Sequence, residues 1–392
     1  MATGRVLIVV ATLQCVSCTN QDGCSRSYGL STNYLGLNYE VLVWPPSNHS
    51  ESEASFSIVA ATSTSTNVRV QFPSWQDNCV ITFRAIRLDC GQTLDFTLSS
   101  MQTATFRSTT TDLSGTLVEA SMPVAVYADN SRITIGPGNV NDSTSEQLFP
   151  ISSWGREFVV APIPDNSQSG YSIRVSCGSA GNVSVAVDGV EYELNMRRPL
   201  TVDFGDNRPT YVNVVSAGAL QLMQFVRGAT VATDRGAPAA LTVPAVERFT
   251  HTYTMTPDDA FTEYMSIVAR RSDVSGLRLN GLPLSVTWLD VGSSGWVTAA
   301  VPLMASETDT LEHTGQKPFG AYSYGYTAGH CAFAYPTGAS LPLQVYFTDL
   351  NIAICSPHIF FYFLCPYREP DTSATRHFGT ETHRHHKIGA EV

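Results

Sequence analysis

Apolar and polar residues alternate one by one in segment after segment of this chain, and a helical spacing of apolar positions hardly occurs. Val68-Arg69-Val70-Gln71-Phe72, Tyr171-Ser172-Ile173-Arg174-Val175 and Val183-Ser184-Val185-Ala186-Val187 all follow this rule. Residues two apart on a strand share a face, so each segment predicts a strand. Asp188-Gly189, between 183–187 and 190–194, and Asn280-Gly281, between 277–279 and 282–284, are the strongest turn signals. Both dipeptides tolerate the positive φ angles of a type I′ turn and predict hairpins. The composition agrees: 28 Gly, 21 Pro, 16 Tyr and 18 Phe, with 15% charged residues, suit strands and turns better than helices. The expected fold class is all-β.

The segments also repeat. Ser57-Ile58-Val59-Ala60, Ser172-Ile173-Arg174-Val175 and Ser266-Ile267-Val268-Ala269 are each followed by a turn signal, at Pro73-Ser74, Asp188-Gly189 and Asn280-Gly281. Each unit closes on an apolar strand, at 123–127, 220–226 and 319–324. The pattern predicts three diverged copies of one unit of about a hundred residues, each an antiparallel β-sandwich-like module. Their expected extents are 36–130, 145–228 and 245–338, with linkers near 130–144 and 230–244. The final stretch, 341–392, departs from the pattern and is expected to be an atypical, disordered tail.

The first 18 residues predict a secretory signal peptide: Arg5 precedes a short apolar run, Val6 to Ala11, and small residues follow. Cleavage fits after Ser17 or after Cys18. Three glycosylation sequons, at Asn48, Asn141 and Asn182, agree with export. In an oxidising compartment the nine cysteines become disulfide candidates. Cys79 and Cys90 flank a hairpin-like segment, Cys355 and Cys365 form a second local pair by spacing, and Cys24, Cys177 and Cys331 stay unassigned. The apolar patch 341–365 is interrupted by Asp349, Pro357 and His358, which argues against a membrane anchor.

A net charge of −11 excludes a phosphate-backbone binder, so no nucleic-acid partner is expected. The chain has no G-x-S-x-G elbow, H-E-x-x-H or P-loop, and Gly292-Ser293-Ser294-Gly295 has the wrong spacing for the first. Asp258-Asp259 reads as a turn, and the run from Asp165 to Gly170 lacks the glutamate that would complete a calcium loop. The tail histidines, His377, His383, His385 and His386, read as solvated. The expectation is therefore no catalytic residue, no metal site and no cofactor. A secreted hydrolase with distant carboxylates and one of His251, His313 or His330 is the alternative of another class, and a membrane-tethered receptor fragment depending on 341–365 is a third reading.

One set of residues carries a family likeness. Pro123-Val124-Ala125-Val126, then Glu146-Gln147-Leu148-Phe149-Pro150, Trp154-Gly155, Phe158-Val159-Val160 and Ser272-Asp273-Val274-Ser275-Gly276-Leu277 resemble the IgGFc-binding protein N-terminal domain family. Phe319-Gly320-Ala321-Tyr322-Ser323-Tyr324-Gly325-Tyr326 and Tyr335-Pro336-Thr337-Gly338 extend the likeness to roughly 36–338. What the resemblance implies is a secreted, disulfide-bonded, non-enzymatic binding or structural protein of mucosal or extracellular gel type, whose named members bind immunoglobulin Fc. It carries over no binding residue. The expected partner is an extracellular protein or a glycan or mucin. Tyr322, Tyr324 and Tyr326, on one face at period two, are the candidate ligand-contact aromatics.

Overall fold

In this computed structural model, residues 34–47, 51–136, 140–164, 170–178, 182–228, 236–304, 307–327 and 331–340 are described, with the backbone of Leu13–Cys18 and Cys24–Gly29. Asn48, His330, Cys355, Cys365, residues 1–12, 165–169 and the tail 341–392 lie outside them. No α-helix occurs among the described residues, and the all-β class holds.

At the N-terminal end, β1 (Leu13–Cys18) pairs antiparallel with β2 (Cys24–Gly29). One nine-stranded antiparallel sheet follows, from β3 (Gly36–Glu40), β4 (Ala54–Val59), β5 (Thr66–Gln71), β6 (Ile81–Phe83), β7 (Ile86–Leu88), β8 (Thr93–Leu98), β9 (Thr103–Ser108), β10 (Leu117–Ile133) and β11 (Asp142–Gln147). The 17-residue β10 belongs to two layers. Its first part pairs with β3 and β5 and its second with β4 and β11. That long strand closes the sheet into a sandwich over Phe56, Phe72, Phe106, Val68 and Val70. The alternation read from 68–72 is realised: Val68, Val70 and Phe72 are buried, while Arg69 and Gln71 are exposed.

The second sandwich pairs β12 (Glu157–Val160), β14 (Val183–Val187), β15 (Val190–Leu194) and β17 (Thr210–Val214) in one sheet. Its other sheet holds β13 (Tyr171–Ser176), β16 (Leu200–Phe204), β18 (Gln221–Val226) and β19 (Ala239–Thr242). The third has β20 (Thr252–Met255), β22 (Leu277–Leu279), β23 (Leu282–Pro283) and β26 (Asp309–His313) on one side. On the other are β21 (Thr262–Arg270), β24 (Leu289–Asp290), β25 (Trp296–Pro302), β27 (Gly320–Tyr326) and β28 (Ala332–Pro336). Both strong turn signals make two-residue hairpins, with φ of 48° and 83° at Asp188-Gly189 and of 52° and 78° at Asn280-Gly281. The three Ser-Ile segments each lie on a strand flanked on both sides, β4 between β9 and β10, β13 between β16 and β18, and β21 between β25 and β27.

Cys79 and Cys90 form the expected disulfide across the β6–β7 hairpin, 11 residues apart. Replacing both by alanine should lower stability by about 3 kcal/mol, the loop-entropy value for a crosslink of this span. A urea-unfolding midpoint under non-reducing conditions checks it.

Parts of both expected linkers are strand. Residues 130–133 end β10, Asp142–Gln147 is β11, and Ala239–Thr242 is β19. Asp142, Thr144, Glu146 and Gln147 of β11 are buried, and two of them tie the sandwiches together. Asp142 Oδ2 accepts from Ala332 N on β28 (3.2 Å), and Glu146 Oε1 accepts from Thr242 N on β19 (2.9 Å). Burial raises the Glu146 carboxyl well above the usual carboxylate range. A second joint is arginine-based. Arg174 of β13, 3% exposed, donates to Asp112 Oδ2 (2.6 Å), Ser114 Oγ (3.1 Å) and the carbonyl of Val43 in the first sandwich. Arg197 donates to the carbonyls of Gly115, Gln71 and Phe72, each at 2.8 Å. Between the second and third sandwiches, Glu157 Oε1 accepts from Trp296 Nε1 (2.6 Å), and within the second it also accepts from Tyr211 Oη (3.0 Å). The Arg270 guanidinium lies 3.9 Å from the Trp296 ring centroid. Apolar side chains also cross: Met223, Phe225 and Ala240 of the second sandwich enter the first core.

Candidate functional site

The aromatic row is a correction. Tyr322, Tyr324 and Tyr326 are 2%, 2% and 3% exposed. Period two does place the three rings together on one side of β27, while Ala321 on the other side joins the core of the third sandwich. The face bearing the rings is covered by the second sandwich: all three pack in one cluster with Phe158, Val159 and Trp296, and Tyr322 Oη donates to the Val159 carbonyl (3.1 Å). No ring is left for a ligand.

The other singled-out residues are dispersed. Asn182 is exposed just ahead of β14. Asn141 is half-buried, and its Oδ1 accepts from Arg132 Nε (3.0 Å). His313, 9% exposed, uses both ring nitrogens on the backbone: Nε2 meets the Asp273 carbonyl (2.9 Å), and Nδ1 accepts from the N–H of Gly315 (3.0 Å). Its imidazole thereby holds the turn after β26. His251 is exposed, and its carbonyl accepts from His313 N. Asp258 Oδ1 accepts from Ala260 N, as a turn carboxylate does.

A surface that the sequence reading did not single out is organised by the same alternation. The outward side chains of β5, β8 and β10 form a polar platform on the first sandwich. Register sets Arg69 opposite Asp95 on β8 and opposite Glu119 on β10. Arg69 grips Asp95 with two hydrogen bonds, Nε to Oδ1 at 2.8 Å and Nη2 to Oδ2 at 3.3 Å. The hydrogen bond from Arg69 holds the Asp95 carboxyl below the usual range, although both groups are open to solvent. Thr97 Oγ1 donates to Asn67 Oδ1 (2.9 Å), and Ser121 closes the platform on β10. Together these residues line a shallow depression of about 460 Å³, and a second of about 400 Å³ adjoins it past Gln71 and Thr93. Fixed donors and acceptors on a pleated surface can engage a polar protein face or a polyhydroxy chain.

The family model described as IgGFc binding protein matches residues 25–325, which takes in nearly every strand of the three sandwiches. The chain belongs to the IgGFc-binding protein family. It is 28% identical over 308 residues to a human protein named IgGFc-binding protein. That alignment covers 76% of this chain and 5% of the human protein. No solved structure matches. The IgGFc-binding family is named for binding rather than for a reaction, which agrees with a non-enzymatic protein.

Proposed function

We propose that this chain is a secreted, non-enzymatic binding module that holds an extracellular protein, or a glycan-bearing partner such as a mucin, on the polar platform centred on Arg69. The observation that carries this reading is family membership across 25–325. The name of the human relative makes immunoglobulin Fc the first protein ligand to test. The chain spans about 5% of that relative's length, so the relative's activity as a whole protein is a proposal here. The leader-like N-terminus and the exposed Asn182 sequon support export and glycosylation. The shared placement of the three Ser-Ile strands supports three diverged copies of one β unit.

The test is to secrete the chain from eukaryotic cells and probe it against immunoglobulin Fc, mucins and a glycan array. Saturable binding to one class is the expected result. Silence across all three from a folded, monodisperse sample would overturn the binding role.

A further inference from the structure

Glu40 ends β3 where the first sandwich meets the second, and none of its surface is exposed. Its Oε1 accepts from Ser176 Oγ at the end of β13. Its main-chain carbonyl accepts from Gln221 Nε2 on β18 (3.2 Å). Among the described residues, its Oε2 is buried without a hydrogen-bond partner, and Gln221 Oε1 is in the same state. Two buried acceptor oxygens at this joint, on residues linked by the Gln221 Nε2 bond to the Glu40 main-chain carbonyl, therefore lack a donor among the described residues. The surrounding groups come from four places: Ser176 and Cys177 at the end of β13, Gly178 after it, Gln221 on β18, and Arg197 beyond β15. At Gly178 an added Cβ would lie 3.7 Å from Oε2. The one cation in that set, Arg197, directs its hydrogen bonds to the carbonyls of Gly115, Gln71 and Phe72.

A buried carboxylate with an unpaired oxygen is costly, and a protonated carboxyl supplies the donor that this pocket lacks. We propose that Glu40 is a proton-operated latch: neutral, it closes the joint between the first and second sandwiches, and ionised, it loosens that joint.

Burial lifts the Glu40 carboxyl from 4.5 to about 7, against the opposing pull of the Ser176 hydrogen bond and the Arg197 charge. Because the folded value is raised, the stabilisation is fully present below the unfolded value and is lost as pH rises through about 7. Between pH 6 and 8.5 the linkage relation gives a roughly tenfold increase in the opening constant. Asp129, pushed up to about 6 by burial, and Glu146 titrate on the same side. A variant at Glu40 is needed to isolate its share.

The experiment is hydrogen exchange on the full chain at pH 6 and pH 8.5, corrected for intrinsic chemistry and read at β3, the end of β13 and the start of β18. Wild type should open roughly tenfold more at the higher pH. Glu40→Gln keeps the Oε1 acceptor, adds a donor and cannot ionise, so its opening should not rise by this factor. A variant that follows wild type at both pH values would overturn the latch. So would one more open than wild type at both, since the carboxylate would then be held ionised by a donor. Should Glu40→Gln fail to fold, Ser176→Ala decides the matter. Removing the donor to Oε1 must move the pH transition upward, and an unmoved transition overturns the proposal.

Discussion

Arg174→Ala is expected to lower folding stability by about 3–5 kcal/mol, the range for stripping one partner from a buried ion pair. The pair with Asp112 is enclosed, with side chains 4% and 11% exposed. Truncation leaves the Asp112 carboxylate without its cation and takes a donor from Ser114 and from the Val43 carbonyl as well. The loss should appear as a lower urea midpoint in which the first and second sandwiches unfold together, because this arginine bridges them. A double variant, Arg174→Met with Asp112→Leu, removes both charges and should recover part of the loss, since an apolar pair is often as stable as the ionic one. If the single variant melted like wild type, the arginine joint would not hold the two sandwiches together.

Gly115→Ala is the second severe substitution. Gly115 sits at φ +84°, and a Cβ there would lie 1.9 Å from the main-chain oxygen of Arg197. The obstacle is backbone, and the segment that carries it is itself fixed by the three bonds of the Arg197 guanidinium. Strain at positive φ and overpacking each cost about 1–3 kcal/mol, so the expected loss is about 2–6 kcal/mol. Gly189→Ala provides the comparison. It has φ +83° but nothing within 4 Å, so it should carry only the conformational share. Equal losses at the two positions would show that the close approach to Arg197 contributes nothing.

Much of the fold could be read from local sequence because it is governed by local physics. Alternation at 68–72, 171–175 and 183–187 is a property of successive residues, and Asp188-Gly189 and Asn280-Gly281 encode their own backbone angles. Cys79 and Cys90 are near neighbours along the chain. What escaped depends on which surfaces meet. The tyrosine row of β27 has the right period for an exposed aromatic strip, and only the packing of the second sandwich against it turns it into core. The polar composition of 130–144 looks like a linker, yet Asp142 within it is buried because Ala332 supplies a donor from far along the chain. Arg174 finds Asp112 across 62 residues and Ser176 finds Glu40 across 136, separations over which no spacing rule operates. The Arg69 platform was half legible: alternation places Arg69 outward, but its pairing with Asp95 and Glu119 requires the strand register.

Binding measured in parallel on wild type and Arg69→Glu tests whether the ligand sits on the Arg69 platform. The full chain would be immobilised and titrated with immunoglobulin Fc and with mucin, with Thr252→Glu on the exposed face of the third sandwich as the charge control. Arg69 lies on the surface, so its reversal should leave the fold intact. Wild type and Thr252→Glu should bind saturably, and Arg69→Glu should lose at least about tenfold in affinity. Binding by Arg69→Glu equal to wild type would contradict the placement of the site on this platform.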